Sequence, residues 1–145
     1  MRLEPWLIYA LLSAACAALV AIFSKIGMKD VDSTLATFVR SVVMTISLAA
    51  LCFGVGVMTK LGTLHRNSVI MIVLSGLAGA ASWLFYFRAI QVGSVAQASP
   101  IDKLSVPIAV ILAVLILRER PSGLNWIGIA LICMGAVFTA IPRAE

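Results

Sequence analysis

A chain of 145 residues that is 62% hydrophobic, with a mean hydropathy of +1.10, carries more apolar surface than a soluble domain of that length can hide. Only 12% of its residues are charged, and the net charge of +5 comes from basic residues scattered singly at the ends of apolar runs. That distribution excludes a soluble globular domain and offers no basic stripe for nucleic acid, so the solvent of the apolar surface is expected to be membrane lipid.

The first span is expected over 6–28. Pro5 suits a helix start, and Trp6 and Tyr9 suit the interfacial belt. Arg2 and the small residues around Ala14 to Ala18 resemble a signal peptide, but the run is long and further spans follow, so it reads as a retained helix. The polar stretch Lys29-Asp30-Val31-Asp32-Ser33 ends it. A second span is expected over 35–58, with Arg40 near its start and expected to snorkel to the surface. The loop from Thr59 to Asn67 carries Lys60, His65 and Arg66.

The third span is expected over 68–91. It puts Gly76, Gly79 and Ser82 on one face and carries the aromatic group Trp83, Phe85, Tyr86 and Phe87. Trp83 and Tyr86, three residues apart, share a face and are candidates to hold a cation or a flat ligand, although lipid or helix packing is the commoner use of such rings. Arg88 is expected to snorkel. The fourth span is expected over 94–117, the turn Arg118-Glu119-Arg120-Pro121-Ser122-Gly123 breaks the chain, and the fifth span is expected over 124–141, ended by Pro142-Arg143. The fold class is therefore an all-α membrane protein of five transmembrane helices, with no room for a soluble domain.

Charge bias gives no strong orientation. Arg2, Lys60, Arg66, Arg118 and Arg120 fall on one side, and Lys25, Lys29, Arg40, Arg88 and Arg143 on the other. Such balance fits a chain that inserts both ways, and it also arises by accident in small proteins.

Asp102 and Lys103 are the most informative residues. Lying roughly 13 Å into the fourth span, near the midplane, they face an insertion cost of at least about 2.5 kcal/mol each. As helix neighbours they point about 100° apart and are not expected to pair with each other. Pro100 and Pro107 bracket them and leave the carbonyls of Ala96 and Lys103 without their helical donors. Two uses fit. One is a buried Asp–Lys bridge between helices or subunits, with the prolines serving packing. The other is a polar site in a water-accessible cavity, where Asp102 takes up a proton or binds a cation, Lys103 binds an anionic group or tunes Asp102, and Ser99 adds a hydroxyl one turn away.

Gly128 and Gly135 fall on nearly one face of the last helix and suit either an oligomer seam or intrachain packing. Cys16, Cys52 and Cys133 lie inside apolar runs, so neither a metal site nor a disulfide is expected, and no cofactor motif is present. With a single histidine, in a loop, and no nucleophile–base constellation, an enzyme is not expected.

Taken in order, Lys25 and Arg40, then Ala89-Ile90, Ala96 to Pro100 and Pro107, then Leu117-Arg118-Glu119-Arg120 with Trp126-Ile127-Gly128 and Gly135-Ala136-Val137, resemble a single EamA-type domain of the drug/metabolite transporter superfamily. The closing helix is similar to that of the small multidrug resistance proteins, in which this surface joins two subunits. Typical relatives carry two such domains in tandem, and the multidrug members carry a buried glutamate in the first helix that this chain lacks. The resemblance implies half of an inverted-repeat transporter, completed by a second copy as a homodimer, antiparallel or parallel. It implies a secondary transporter of a small-molecule substrate in the inner cell membrane, an exporter, with proton coupling moved to Asp102. Two other readings stand beside it: a non-transporting subunit of a larger membrane complex, and half of a lipid-carrier flippase whose Lys103 and arginines grip a phosphate.

Overall fold

The computed structural model describes residues 4–140. They form six α-helices: α1 (Pro5–Gly27), α2 (Ser33–Val55), α3 (Arg66–Val92), α4 (Val95–Asp102), α5 (Ser105–Leu112) and α6 (Gly123–Ala140). A 3₁₀ segment over Val57–Thr63 follows α2, and a π-helical turn over Ala113–Leu117 follows α5. Five helical stretches are long and apolar enough to cross a membrane, the fourth being Val95–Leu117 with α4, α5 and the π turn in series. No strand occurs among the described residues. The chain is thus an all-α, multi-pass membrane protein. Ile141, the Pro142–Arg143 stop and Arg2 lie outside the described residues.

The helix ends show why these residues stop and start where they do. Asp32 caps α2: its carboxylate accepts from the Thr34 N–H at 2.7 Å and the Leu35 N–H at 3.3 Å. The cap starts α2 two residues before the expected Leu35. At the other end Gly56 adopts φ +74°, the left-handed conformation that a residue without Cβ enters freely, so the helix closes at Val55 rather than at Met58. Ser94 and Ser122 cap the helices that follow them, each accepting from the N–H three residues on and donating to that residue's side-chain oxygen, Gln97 and Asn125.

The chain divides into two compact units, Met1–Gln91 and Val92–Glu145. In the first, the C-terminal ends of α1 and α3 are tied together. The Lys25 ammonium donates to the Ile90 carbonyl, one of the last-turn acceptors that the helix itself cannot satisfy. The Gln91 amide donates to the Val31 carbonyl at 2.9 Å, and Gln91 accepts from Arg88 at 3.2 Å. Burial concentrates at this end, in Met28, Ser33, Thr37, Phe87 and Ile90. In the second unit α4 and α5 both pack on α6, where Ala136 is buried.

Most large apolar side chains are exposed along the spans, as expected when lipid rather than a core receives them. The hydroxyls of α2 show the complementary rule. Thr37, Ser41 and Thr45 form a one-turn ladder, donating to the carbonyls of Ser33, Thr37 and Ser41 at 2.7, 2.8 and 2.9 Å, so that none of the three faces hydrocarbon unpaired.

The Thr34 N–H, with the Thr34 hydroxyl, the Leu35 N–H and the positive charge of Arg88, holds the Asp32 carboxyl below the usual aspartate range. A lowered folded-state pKa stabilises above the ordinary aspartate value of about 3.9 and stops stabilising as pH falls through the depressed value. Asp32→Ala is therefore expected to lower the thermal unfolding midpoint in detergent at pH 7, with Asp32→Asn lowering it less. The gap between wild type and Asp32→Ala should narrow as pH falls below about 4, which unfolding scans across pH will show.

Candidate functional site

The second unit contains the charged pair of the fourth span. α4 starts at its Ser94 cap and runs only eight residues. Pro100 lies inside it and cannot donate to the Ala96 carbonyl. The helix stops at Asp102, and the chain passes through a turn at Lys103 and Leu104 before α5 resumes at Ser105. Tighter three-residue hydrogen bonds hold this turn. Lys103 N–H donates to Pro100 and Leu104 N–H to Ile101, at 3.1 and 3.0 Å. The Lys103 carbonyl, expected to stay open because Pro107 cannot donate to it, accepts from the Val106 N–H at 3.0 Å. The break thus satisfies its own backbone by tightening, and Pro107 is buried rather than lining a gap.

The turn also corrects the expectation that Asp102 and Lys103 stand apart. Lys103 Nζ lies 3.3 Å from Asp102 Oδ2. The separation of about 100° between neighbours holds inside a regular helix. Asp102 is the last helical residue and Lys103 the first of the turn, so the two side chains can close on each other. Their side chains stay 35% and 57% exposed, and among the described residues neither makes another hydrogen bond. An ammonium with three donors and a carboxylate with four acceptor sites thus use one bond between them.

Beside the pair, Pro100, Lys103 and Val106 face Ile132, Gly135, Ala136 and Thr139 of α6 across a cleft of about 400 Å³. Gly135 lines this cleft, and a Cβ built on it meets nothing within 4 Å. Gly128 is similarly open. Ser99 is half-buried on α4, one turn before Lys103.

The first unit contains a second polar feature. Arg40 is the eighth residue of α2, seven positions or about 10 Å along the helix from Ser33. Instead of snorkelling outward, its guanidinium lies 3.7 Å from the centroid of Trp83 and 5.6 Å from that of Phe87. Trp83, Tyr86 and Phe87 form an edge-on aromatic group, with centroids 5.8 Å apart for Trp83 and Tyr86 and 5.5 Å for Trp83 and Phe87. The shared face of Trp83 and Tyr86 is as expected, but the cation on Trp83 is the protein's own arginine. Two signals in the sequence point this way: the Trp83–Phe87 spacing of one turn, and an arginine a third of the way into a span once the Asp32 cap fixes where that span begins.

Arg40 also lines a cavity of about 640 Å³ between α1 and α2, with Phe87 of α3 on its wall. Among the described residues no cluster of His, Cys, Asp or Glu could hold a metal ion.

A cation over an indole face contributes about 1 kcal/mol, more where water is excluded. A double-mutant cycle of Arg40→Gln and Trp83→Leu, read by thermal unfolding in detergent, is expected to give a coupling energy of about 1 kcal/mol. Strictly additive effects would show that the stacking contributes nothing.

The family model described as the EamA-like transporter family matches residues 4–141. A curated protein of a Sinorhizobium species, named an uncharacterized transporter in the cobO 3′ region, is 41% identical over 138 residues, covering 95% of this chain and 98% of that relative. No solved structure matches.

Proposed function

The chain belongs to the EamA-like transporter family and is a membrane transporter, and we propose that it is a secondary transporter exporting small metabolites across the inner cell membrane as a homodimer. The observation that carries the reading is the exposed Asp102–Lys103 pair at a helix break inside the fourth span. A charge pair at membrane depth is expensive, and neither partner is held by the surrounding protein, so its use lies in being broken and remade.

In this reading Asp102 is the coupling group. When it takes a proton, the ion pair with Lys103 is lost and the ammonium is released toward the cleft shared with α6. When the proton leaves, the pair re-forms. The protonation state therefore biases which neighbour Lys103 binds, the differential contact that any coupled conformational change needs. Ser99 supplies a hydroxyl within a turn of the pair, and in the first unit, taken by itself, Tyr86 and the Trp83 ring that Arg40 covers are proposed as aromatic contacts for substrate. The five spans form half of an inverted repeat, and a second copy completes it, antiparallel where the chain inserts both ways. The match to nearly the whole of a relative named as a transporter supports one five-span unit as the building block. Gly128, which has open space where a Cβ would stand, is proposed as the seam, with Gly135 extending it where the cleft beside Lys103 opens.

Two measurements test this. Asp102→Asn, reconstituted in proteoliposomes and assayed by solid-supported membrane electrophysiology against a panel of small metabolites, is expected to lose proton-coupled currents while cross-linking still reports a dimer. Wild-type currents in that variant would remove Asp102 from the site. A C-terminal reporter that distinguishes the two membrane faces should signal from both for an antiparallel dimer, whereas signal from one face leaves the parallel arrangement.

A further inference from the structure

The cavity beside Arg40 has a composition that selects its occupant. Its wall is apolar apart from Arg40 and Ser24, and no carboxylate lines it. Asp30 and Asp32 belong to the neighbouring loop and are not on the wall. Arg40 is therefore the one charged side chain on the wall.

The way that guanidinium is held matters as much as its charge. Its carbon lies over the Trp83 ring, 3.7 Å from the centroid. Stacking uses the face of the plane and leaves the N–H donors, which lie in the plane, directed away from the ring. Among the described residues no carboxylate, carbonyl or hydroxyl accepts from Arg40, and the one ion pair found there is Lys103 with Asp102. A permanently charged group, set over Trp83 and about 10 Å along its span, thus lines a largely apolar space with its donors unused among the described residues.

We infer that this cavity is a binding site for a small amphipathic anion, a solute with one carboxylate-like head and an apolar body, whose head is held by Arg40. A planar carboxylate matches the guanidinium fork with two parallel hydrogen bonds. The wall of Val20, Phe23, Met28, Val39 and Phe87 receives the body. The volume of about 640 Å³ lies within the range of small-molecule sites, about 300–1,000 Å³. The same features reject other classes. A cation meets an uncompensated like charge, a polyanion carries charges with no partner on this wall, and a neutral solute leaves the fork unpaired.

The test is binding of radiolabelled 4-phenylbutyrate to the full-length protein in nanodiscs of zwitterionic lipid, with empty nanodiscs subtracted and 4-phenylbutyramide as the neutral competitor. Saturable binding that the amide does not displace is expected. Arg40→Gln should weaken it roughly ten- to hundred-fold, the loss expected for a hydrogen-bonded ion contact, with Arg40→Lys losing less. A second variant guards against misfolding of the first. Gly27 lines the cavity and has open space where a Cβ would stand, so Gly27→Leu fills the space with Arg40 intact and should also abolish binding. No saturable binding, equal affinity for acid and amide, or unchanged affinity in both Arg40→Gln and Gly27→Leu overturns the inference. Replacing a third of the lipid with phosphatidylglycerol decides the source of the anion. Unchanged affinity supports a free solute, and strong competition gives the fork to a lipid headgroup and overturns a solute as its occupant. Because the readout is binding, it stands or falls separately from the role of Asp102 in transport.

Discussion

Hydrocarbon offers no hydrogen bonds, and nearly every local feature of this chain answers that constraint. Within a span the helix satisfies its own backbone. At the break after α4 it does so by tightening, and at its ends, where it cannot, the sequence supplies a partner: Asp32 for the first amides of α2, Ser94 and Ser122 for the helices they precede, and Lys25 for a last-turn carbonyl of α3. The α2 hydroxyls fold back onto their own helix for the same reason. Few of the described residues are fully buried, and many large apolar side chains are exposed along the spans, where lipid receives them.

Against that background two polar groups stand out because the protein does not neutralise them fully. The Asp102–Lys103 pair spends one contact on itself and keeps most of its bonding capacity, and Arg40 spends one face on Trp83 and keeps its donors. They differ in chemistry. The pair contains a carboxylate, a group able to take up and release a proton, whereas a guanidinium stays charged throughout. A coupling role suits the first and a gripping role the second.

The spans were legible in the sequence because about twenty apolar residues in a row fit little besides a membrane helix, and each of the five expected stretches overlaps an observed one. The membership in a transporter family was legible from the order of weak motifs rather than from any one of them. The finer chemistry was not. The pairing of Asp102 with Lys103 cannot be foreseen from helical geometry because the helix ends between them, at a break that Pro100 and Pro107 bracket. For Arg40 the discrepancy is smaller in origin. Apolarity alone starts its helix at Leu35 and not at the Asp32 cap, which puts the arginine half a turn too near the surface. The cap signal, an aspartate followed by Ser-Thr, is present in the sequence and outweighed by hydropathy.

The short length of α4 carries a mechanical consequence. Its eight residues span about 12 Å between the Ser94 cap and the turn at Lys103. A segment bounded by a loop at one end and a helix break at the other has the geometry of a lever whose pivot is the break. A tilt of about 10° there displaces the Ser94 end by about 2 Å, the scale of helix shifts that separate alternative states in other switching proteins. The ion pair sits at the pivot, the end of α4 that such a tilt displaces least, and the Ser94 cap is at the end that it displaces most.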